Sequence, residues 1–189
     1  MSVLLRPEMD LRRIGGIALV AGAAAREALA FLCAQPIDVY WPNDLQLLGR
    51  KLGGILAEAR TRGGGKAVVV ALGIGLNIDL EGIEVPPGLW GSIASLADAG
   101  IRERDPEAIA VKILERLRPL IGALEDGAPI PSLVRGAIAG LGRPVRVTVP
   151  PAPAWNGIAV GIGTEGELLV LRDGGGIEAL RAAEVEYQR

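Results

Sequence analysis

The sequence predicts an α+β fold in two parts, a larger domain over residues 1–141 and a small β-module over residues 142–189. In the first part, apolar strands alternate with stretches of helical pattern. In the second part, short alternating strands are separated by Gly/Pro turns, which is typical of a small β-barrel. Hydrophobic residues make up 50% of the chain, enough for a sizeable core.

The larger domain is predicted to open with a strand at Ser2–Arg6, followed by a helix over Leu11–Cys33 that ends before Pro36. A later helix, Glu107–Leu124, should begin at the Asp105-Pro106 cap, and Pro119 should kink it or end it early. The remaining predicted elements are strand Ile37–Trp41, a hairpin with its turn at Gly49-Arg50 and second strand Lys51–Ala59, strand Ala67–Leu72, and helices Ser92–Ala99 and Ser132–Leu141.

The C-terminal part changes character after Leu141, where we place the domain boundary. Its alternating pattern and its Gly/Pro turns predict four short strands. They are Pro144–Val149, Ala154–Ile162, Gly166–Leu171 and Ile177–Ala182.

Composition excludes several classes of function. The chain has no histidine and a single cysteine, Cys33, which rules out a Ser-His-Asp triad, a histidine-ligated zinc site and an internal disulfide. The formal charge of −2, without any Lys/Arg-rich run, gives no footprint for nucleic acid. The apolar stretches Ile14–Ala25 and Ala67–Ile78 are shorter than a membrane span, so we expect a cytoplasmic protein without a membrane partner. Thr61–Lys66 is glycine-rich but lacks the Walker spacing, and we interpret it as a plain turn.

The stretch Val39–Glu58 (VYWPNDLQLLGRKLGGILAE) combines a carboxylate, an amide and a lysine with two glycines. Asp44 and Lys51 lie near opposite ends of the first strand and turn of the predicted hairpin, which allows both to face one cavity. Taken alone, Asp44 is more often a turn-capping residue, and Lys51 more often a solvated hairpin lysine, so only their joint spacing indicates a site.

A second cluster, Gly73–Asn77 (GIGLN), follows the predicted buried strand. Its glycines allow the backbone to approach another group closely. Asn77 at the strand exit can hydrogen-bond a ligand or cap the following turn, and the residues alone leave both open.

Taken together and in order, these motifs resemble the signature of the biotin protein ligases. Tyr40–Asp44 (YWPND) followed by Arg50–Leu56 (RKLGGIL) resembles the family's KWPND and K-[VLA]-[GA]-G-I-L blocks. Gly73–Asn77 is similar to the family's GIGxN strand end, and Ser92–Leu96 (SIASL) to its ATSL segment. The stretches LGRPVRV, GIAVGIGTEGELLV and EVEY resemble the family's C-terminal SH3-like module.

The resemblance implies a mixed β-sheet flanked by helices, akin to class II synthetases, with an SH3-like β-barrel appended. It also implies an activity in which biotin and ATP, with Mg²⁺, give biotinyl-5′-AMP and pyrophosphate. The acyl group then passes to a lysine of a biotin carboxyl carrier domain of a carboxylase.

The same resemblance implies a role for each site residue. Lys51 would offset the repulsion between the biotin carboxylate and the α-phosphate. Asp44 would orient or deprotonate the incoming amine, or hold Mg²⁺. Asn43 and Asn77 would contact the nucleotide. Contacts to biotin or its adenylate would come from Lys51, Gly53, Gly54, Ile55, Gly73 and Gly75.

Two features depart from the family pattern. Tyr40 stands where the family usually has lysine, which removes a cation near the nucleotide. The family also has a GRGRxGRxW loop and an STN-type motif ahead of the strand that reads SVLLR here, and the sequence begins at that strand. Without the arginines of that loop, the phosphates and the carboxylate lose charge-assisted partners.

We therefore hold two main hypotheses, a biotin–[carboxylase] ligase in shortened or diverged form, or a non-catalytic relative that binds biotin, its adenylate or a carrier protein. A lipoate-type ligase fits less well, because WPND with KxGGIL is the pattern of the biotin branch. No helix-turn-helix segment precedes the catalytic part, so we expect no DNA-binding role. An exposed sheet edge favours a homodimer.

Overall fold

The computed structural model describes residues 1–7, 9–33, 35–61, 67–89 and 91–188. The strands in the first part are β1 (Ser2–Leu5), β2 (Ile37–Tyr40), β3 (Asp44–Leu47), β4 (Arg50–Thr61) and β5 (Ala67–Leu76). The helices are α1 (Ile14–Ala30), α2 (Pro106–Glu125) and α3 (Ile130–Leu133), with 3₁₀ turns at Leu11–Arg13 and Pro87–Leu89. The C-terminal strands are β6 (Pro144–Thr148), β7 (Trp155–Ile162), β8 (Leu168–Arg172), β9 (Ile177–Leu180) and β10 (Glu184–Tyr187). The turn predicted at Thr61–Lys66 lies outside the described residues from residue 62 onward.

The N-terminal sheet has the strand order β1-β5-β4-β3-β2, and every ladder among the described strands is antiparallel. Strands β2, β3 and β4 follow one another through short turns, which only antiparallel pairing permits. A mixed sheet was expected, and the parallel contribution consists of two isolated bridges, Val39–Ile138 and Lys51–Ile93.

Helices α1 and α2 cover one face of this sheet and form the core with it. Helix α1 is rich in small residues, so it can approach the strands closely. A Cβ on Gly22 would lie 2.9 Å from the Val39 side chain. None of the described helices covers the opposite face, and Leu4 and Leu56 on it are 63% and 58% exposed. Within the described ranges, no helix combines the length and apolar character needed to cross a bilayer.

Helix α2 begins as predicted, with the Asp105 side chain accepting a hydrogen bond from the Glu107 amide and Pro106 in the first turn. It does not end at Pro119 but continues to Glu125. Pro119 lies on the exposed side of the helix. There, the carbonyl that loses its partner faces water, so the helix tolerates the proline.

Two predicted helices are wrong, for one common reason. Residues 92–99 form turns, and Ser92 and Ala94 instead pair with the backbone of Lys51. Within 132–141, helix α3 ends at Leu133, and residues 137–139 pair with the edge of β2 at Val39. In both places, backbone hydrogen bonds to a strand override the local helical pattern.

The C-terminal sheet has the order β10-β6-β7-β8-β9, again with antiparallel ladders. Its inward face buries Val145, Val147, Ala159, Leu168, Val170 and Leu180. The four predicted strands are confirmed, and the fifth strand, Glu184–Tyr187, was not predicted. Strand β6 starts shortly after the predicted boundary near Leu141, and that boundary stays a prediction.

Candidate functional site

The β3–β4 hairpin brings Asp44 and Lys51 into contact. Leu48 and Gly49 at the tip have φ angles of 51° and 74°, the pair of positive values that suits a two-residue hairpin turn. The turn directs β4 back along β3, and the Lys51 Nζ atom donates a hydrogen bond of 2.6 Å to Asp44 Oδ1. The predicted convergence of this carboxylate and this lysine therefore occurs.

A β-bulge in β4 sets which residues share the open face with this pair. Gln46 pairs with Lys51 and Leu45 with Gly53, so Leu52 is the extra residue. Without this insertion, Lys51 and Gly54 would point to opposite faces, because strand side chains alternate with a period of two. With it, a Cβ on Gly54 would lie 3.9 Å from both Asp44 Oδ1 and Lys51 Cε.

Bare backbone forms the surface next to the Asp44–Lys51 pair. Gly54 pairs with Gly75, and Leu56 pairs with Gly73 on the next strand. Together with Asn43, Asp44 and Lys51, these glycines line an open cavity of about 570 Å³. Because no Cβ projects from Gly54, Gly73 or Gly75, a flat group can lie directly on the two strands.

Both predicted asparagines are engaged with backbone groups. Asn43 Nδ2 donates to the Ile55 carbonyl at 2.8 Å, and the Ile55 amide donates to the Asn43 carbonyl at 2.9 Å. Asn77 Nδ2 donates to the Ala94 carbonyl at 3.0 Å, and the Asn77 amide donates to the Leu52 carbonyl at 2.9 Å. Asn43 lies at the cavity, whereas Asn77 ties the segment at Ala94 to β4. Their nucleotide contacts stay a prediction.

Two further predicted residues lie on the covered side of the sheet. Ile55 is 1% exposed, and its side chain packs toward Gly22 of α1. Gly53 is buried, and a Cβ there would lie 2.2 Å from the Gly75 carbonyl oxygen. Ile55 can therefore reach a ligand only through its backbone, and Gly53 primarily allows β4 to approach β5.

Sequence reasoning missed Leu56 as part of the site. Its side chain is 58% exposed and borders the cavity opposite Gly73. The alternation in β4 carried this signal, since Leu56 shares a face with Gly54 once Ile55 is assigned to the core.

The Asp44–Lys51 ion pair is solvent-accessible, with the two side chains 32% and 51% exposed. A pair of this kind contributes only about 0–1 kcal/mol to stability. Lys51 has three N–H donors, and among the described residues its side chain donates only to Asp44, which leaves two donors for an incoming anion. In the described part of the chain, no cluster of three or more His, Cys, Asp or Glu residues is placed to hold a metal.

Solved structures share this fold over nearly the whole chain. The apo structure of biotin protein ligase from Aquifex aeolicus matches with a TM-score of 0.78 at 22% identity, covering 99% of this chain and 81% of that one. The ligase from the same organism in complex with biotin and ATP matches with a TM-score of 0.75 at 23% identity, covering 100% of this chain and 77% of that one. These matches confirm the predicted α+β architecture with its C-terminal module.

The sequence comparisons show the family. Residues 1–77 match the biotin/lipoate A/B protein ligase family, and residues 140–187 match the biotin protein ligase C-terminal domain. A biotin--[acetyl-CoA-carboxylase] ligase of Paracoccus denitrificans is 31% identical over 98% of this chain and 78% of its own length. The bifunctional ligase/repressor BirA of Salmonella typhimurium is 36% identical over 97% of this chain, which spans 59% of that relative. The chain belongs to the biotin protein ligase family, as its motifs predicted.

Proposed function

We propose that this chain activates biotin with ATP and transfers the biotinyl group to a lysine of a biotin carboxyl carrier domain. In the first step, a biotin carboxylate oxygen attacks the α-phosphorus. The bond to the β-phosphate oxygen breaks, and pyrophosphate leaves. In the second step, the carrier lysine's amine attacks the acyl carbon, AMP leaves, and the amine gives up a proton.

The observation that supports this most directly is the placement of the Asp44–Lys51 pair beside bare glycine backbone on an open sheet face. The first reaction forces two anions together, and a lysine at the meeting point lowers the energy of that encounter. Lys51 is mobile enough to do this, because its side chain is half exposed and, in the described part of the chain, Asp44 is its one side-chain partner.

Asp44 supplies the complementary group. When the Lys51 ammonium group moves from Asp44 to an anionic substrate, the 2.6 Å contact is broken and the Asp44 carboxylate can accept a proton or a cation. A carrier lysine must lose a proton before or during its attack, so a carboxylate at this position suits the second step.

The floor of Gly54, Gly73 and Gly75 suits the fused rings of biotin. A methyl group at any of these positions would stand between a flat ligand and the two strands, whereas glycine leaves the backbone accessible. Leu56 adds an exposed apolar side chain at the border of the same cavity.

The residues present also fit ATP with Mg²⁺. Mg²⁺ is usually held by one or two carboxylates together with substrate phosphates, and Asp44 provides one such carboxylate. We propose that the metal enters with the nucleotide, where it would neutralise phosphate charge. Asn43 stands beside Asp44 at the same cavity and is the nearer of the two asparagines proposed to contact the nucleotide.

Tyr40 favours a second candidate, a non-catalytic relative that binds biotin, its adenylate or a carrier protein. Tyrosine carries no positive charge, so this position offers no cation to a nucleotide, and the Tyr40 ring instead packs edge-on against Tyr187 with the ring centroids 4.9 Å apart. This reading predicts binding without turnover. A homodimer through the sheet edge stays a prediction under both candidates.

The test is biotin-dependent exchange of pyrophosphate into ATP by the purified chain. We expect exchange in the wild-type protein and a loss of about 10²–10³-fold in Lys51→Ala, since a group that stabilises developing charge is removed. Lys112→Ala is the matched control, because Lys112 is exposed on α2, away from the cavity. Equal exchange in wild type and Lys51→Ala contradicts the assignment of Lys51. Biotin binding by calorimetry without any exchange supports the non-catalytic candidate.

A further inference from the structure

The turn that presents Asn43 and Asp44 is held from outside its own sheet. Trp41 precedes this turn and is 4% exposed. Its indole Nε1–H donates a buried hydrogen bond of 3.0 Å to the carbonyl oxygen of Gly166, in the β7–β8 loop of the C-terminal module. The described hydrogen bonds of this turn therefore join it to two different parts of the molecule.

The Gly166 carbonyl is itself fixed in position. Gly166 has a φ of +92°, and a Cβ there would lie 2.7 Å from the Cα of Gly16 in α1. Only glycine fits at this contact, in conformation and in space. Helix α1 packs on β2 and β4, so the loop is anchored to the element that also supports the site sheet.

A second contact with the C-terminal module is made by the residue before Trp41. Tyr40 packs against Tyr187 of β10, and Gly140 lies where a Cβ would stand 2.4 Å from the Tyr187 ring. The Tyr40–Tyr187 contact is apolar packing, whereas the Trp41–Gly166 contact is a directional hydrogen bond. A directional hydrogen bond can fix the orientation of the turn, and this orientation determines where the Asp44 carboxylate lies.

We propose that Trp41 is a positioning residue, which acts through its hydrogen bond to Gly166 to fix the turn carrying Asn43 and Asp44. This inference rests on the proposed function in treating Asp44 as part of the reacting site. The C-terminal module thereby sets the geometry of the site without contributing a reacting group. A shift of about 1 Å in such a turn is enough to cost a large factor in rate.

Amide hydrogen exchange, followed residue by residue by NMR, tests this without requiring activity. The Ile55 amide donates to the Asn43 carbonyl and reports on the turn. In Trp41→Phe, we expect the Ile55 amide to exchange about tenfold faster, since one net hydrogen bond that orders the turn is lost, while α1 amides keep wild-type rates. Trp155→Phe is the control, because Trp155 lies in β7 with its ring against the Arg172 guanidinium.

A second measurement uses the unmodified protein and applies even if Trp41→Phe does not fold. In wild type, the Trp41 indole N–H and the Ile55 amide should exchange through one shared opening, with the same dependence on denaturant. Unequal denaturant dependence overturns the proposal. So does an unchanged Ile55 rate in a folded Trp41→Phe variant, or one uniform acceleration of all amides.

Kinetics separate this inference from the proposed function. With an active enzyme, Trp41→Phe should lower kcat for pyrophosphate exchange about tenfold and change KM for biotin less than twofold, because the glycine floor is untouched. A rise in KM with unchanged kcat contradicts positioning of Asp44. Absence of exchange in wild type sinks the proposed function alone, and the exchange of the Ile55 amide then decides whether Trp41 orders the turn.

Discussion

Gly53 and Gly54 are neighbours in β4, yet the structure predicts opposite consequences for replacing each with alanine. A Cβ on Gly53 would lie 2.2 Å from the Gly75 carbonyl oxygen and 2.9 Å from Leu76 Cδ2. The first of these is a backbone atom in the paired strand, so β4 and β5 must move apart. A Cβ on Gly54 meets its nearest atoms at 3.9 Å, which is ordinary van der Waals contact.

The expected magnitudes follow from these distances. Overpacking against a strand that cannot rotate away costs about 1–3 kcal/mol, and we place Gly53→Ala at the upper end, near 3 kcal/mol. For a chain of this size, that corresponds to a fall in melting temperature of roughly 6–12 °C. Gly54→Ala should leave stability unchanged or raise it by up to about 1 kcal/mol, because alanine restricts the unfolded chain more than glycine does.

Biotin affinity should instead be affected by the Gly54→Ala substitution, which should not lower stability. The Gly54→Ala methyl group stands on the cavity floor, so we expect biotin affinity to fall at least about tenfold, the equivalent of about 1.4 kcal/mol. Thermal unfolding by circular dichroism and biotin titration by calorimetry measure the two effects separately. Equal destabilisation of both variants refutes the packing argument. Wild-type biotin affinity in Gly54→Ala refutes the proposal that biotin lies on the backbone at Gly54.

Two further predictions concern contacts around the site. The Tyr187 hydroxyl is buried without a hydrogen-bond partner among the described residues, and burial, with Tyr40 nearby, raises its pKa. The unfolded chain therefore ionises first as the pH rises above about 10, so stability should fall there, and Tyr187→Phe should remove part of that fall. The same alkaline loss of melting temperature in the variant and in wild type contradicts this. Asn77→Ala should lower the free energy of unfolding by about 1–2 kcal/mol, since the Ala94 carbonyl loses its donor, and the amides of residues 94–97 should exchange faster. Unchanged exchange of these amides contradicts the role of the Asn77 side chain in holding this segment to β4.

Much of the site was predictable because its signals are local. The alternation in β3 and β4 and the glycine turn predict a hairpin, and a hairpin is enough to bring Asp44 and Lys51 together. The bulge at Leu52 was not predictable, since an extra residue in a strand leaves no distinct mark on hydrophobic alternation. Its effect is large, because it decides that Gly54 rather than Gly53 faces the cavity.

The two wrong helix predictions have a different origin. The segments at 92–99 and 132–141 have helical composition, but their backbone groups find partners on Lys51 and Val39. Such pairings depend on distant parts of the chain and cannot be read from a local window. The contacts of Trp41 with Gly166 and of Tyr40 with Tyr187 are also long-range, so the sequence shows the residues but not their pairing.

The pairing of the Lys51 backbone has a consequence for how quickly the site can respond to a substrate. The Lys51 amide donates to the Ser92 carbonyl at 2.8 Å, and its carbonyl accepts from the Ala94 amide at 2.8 Å. The Lys51 backbone is thus held in place by hydrogen bonds, whereas its four-carbon side chain can change rotamer. Rotamer changes of exposed side chains take picoseconds to nanoseconds, far less than the time needed to order a loop. The transfer of the ammonium group from Asp44 to an arriving anion should therefore be completed within the lifetime of a single diffusive encounter.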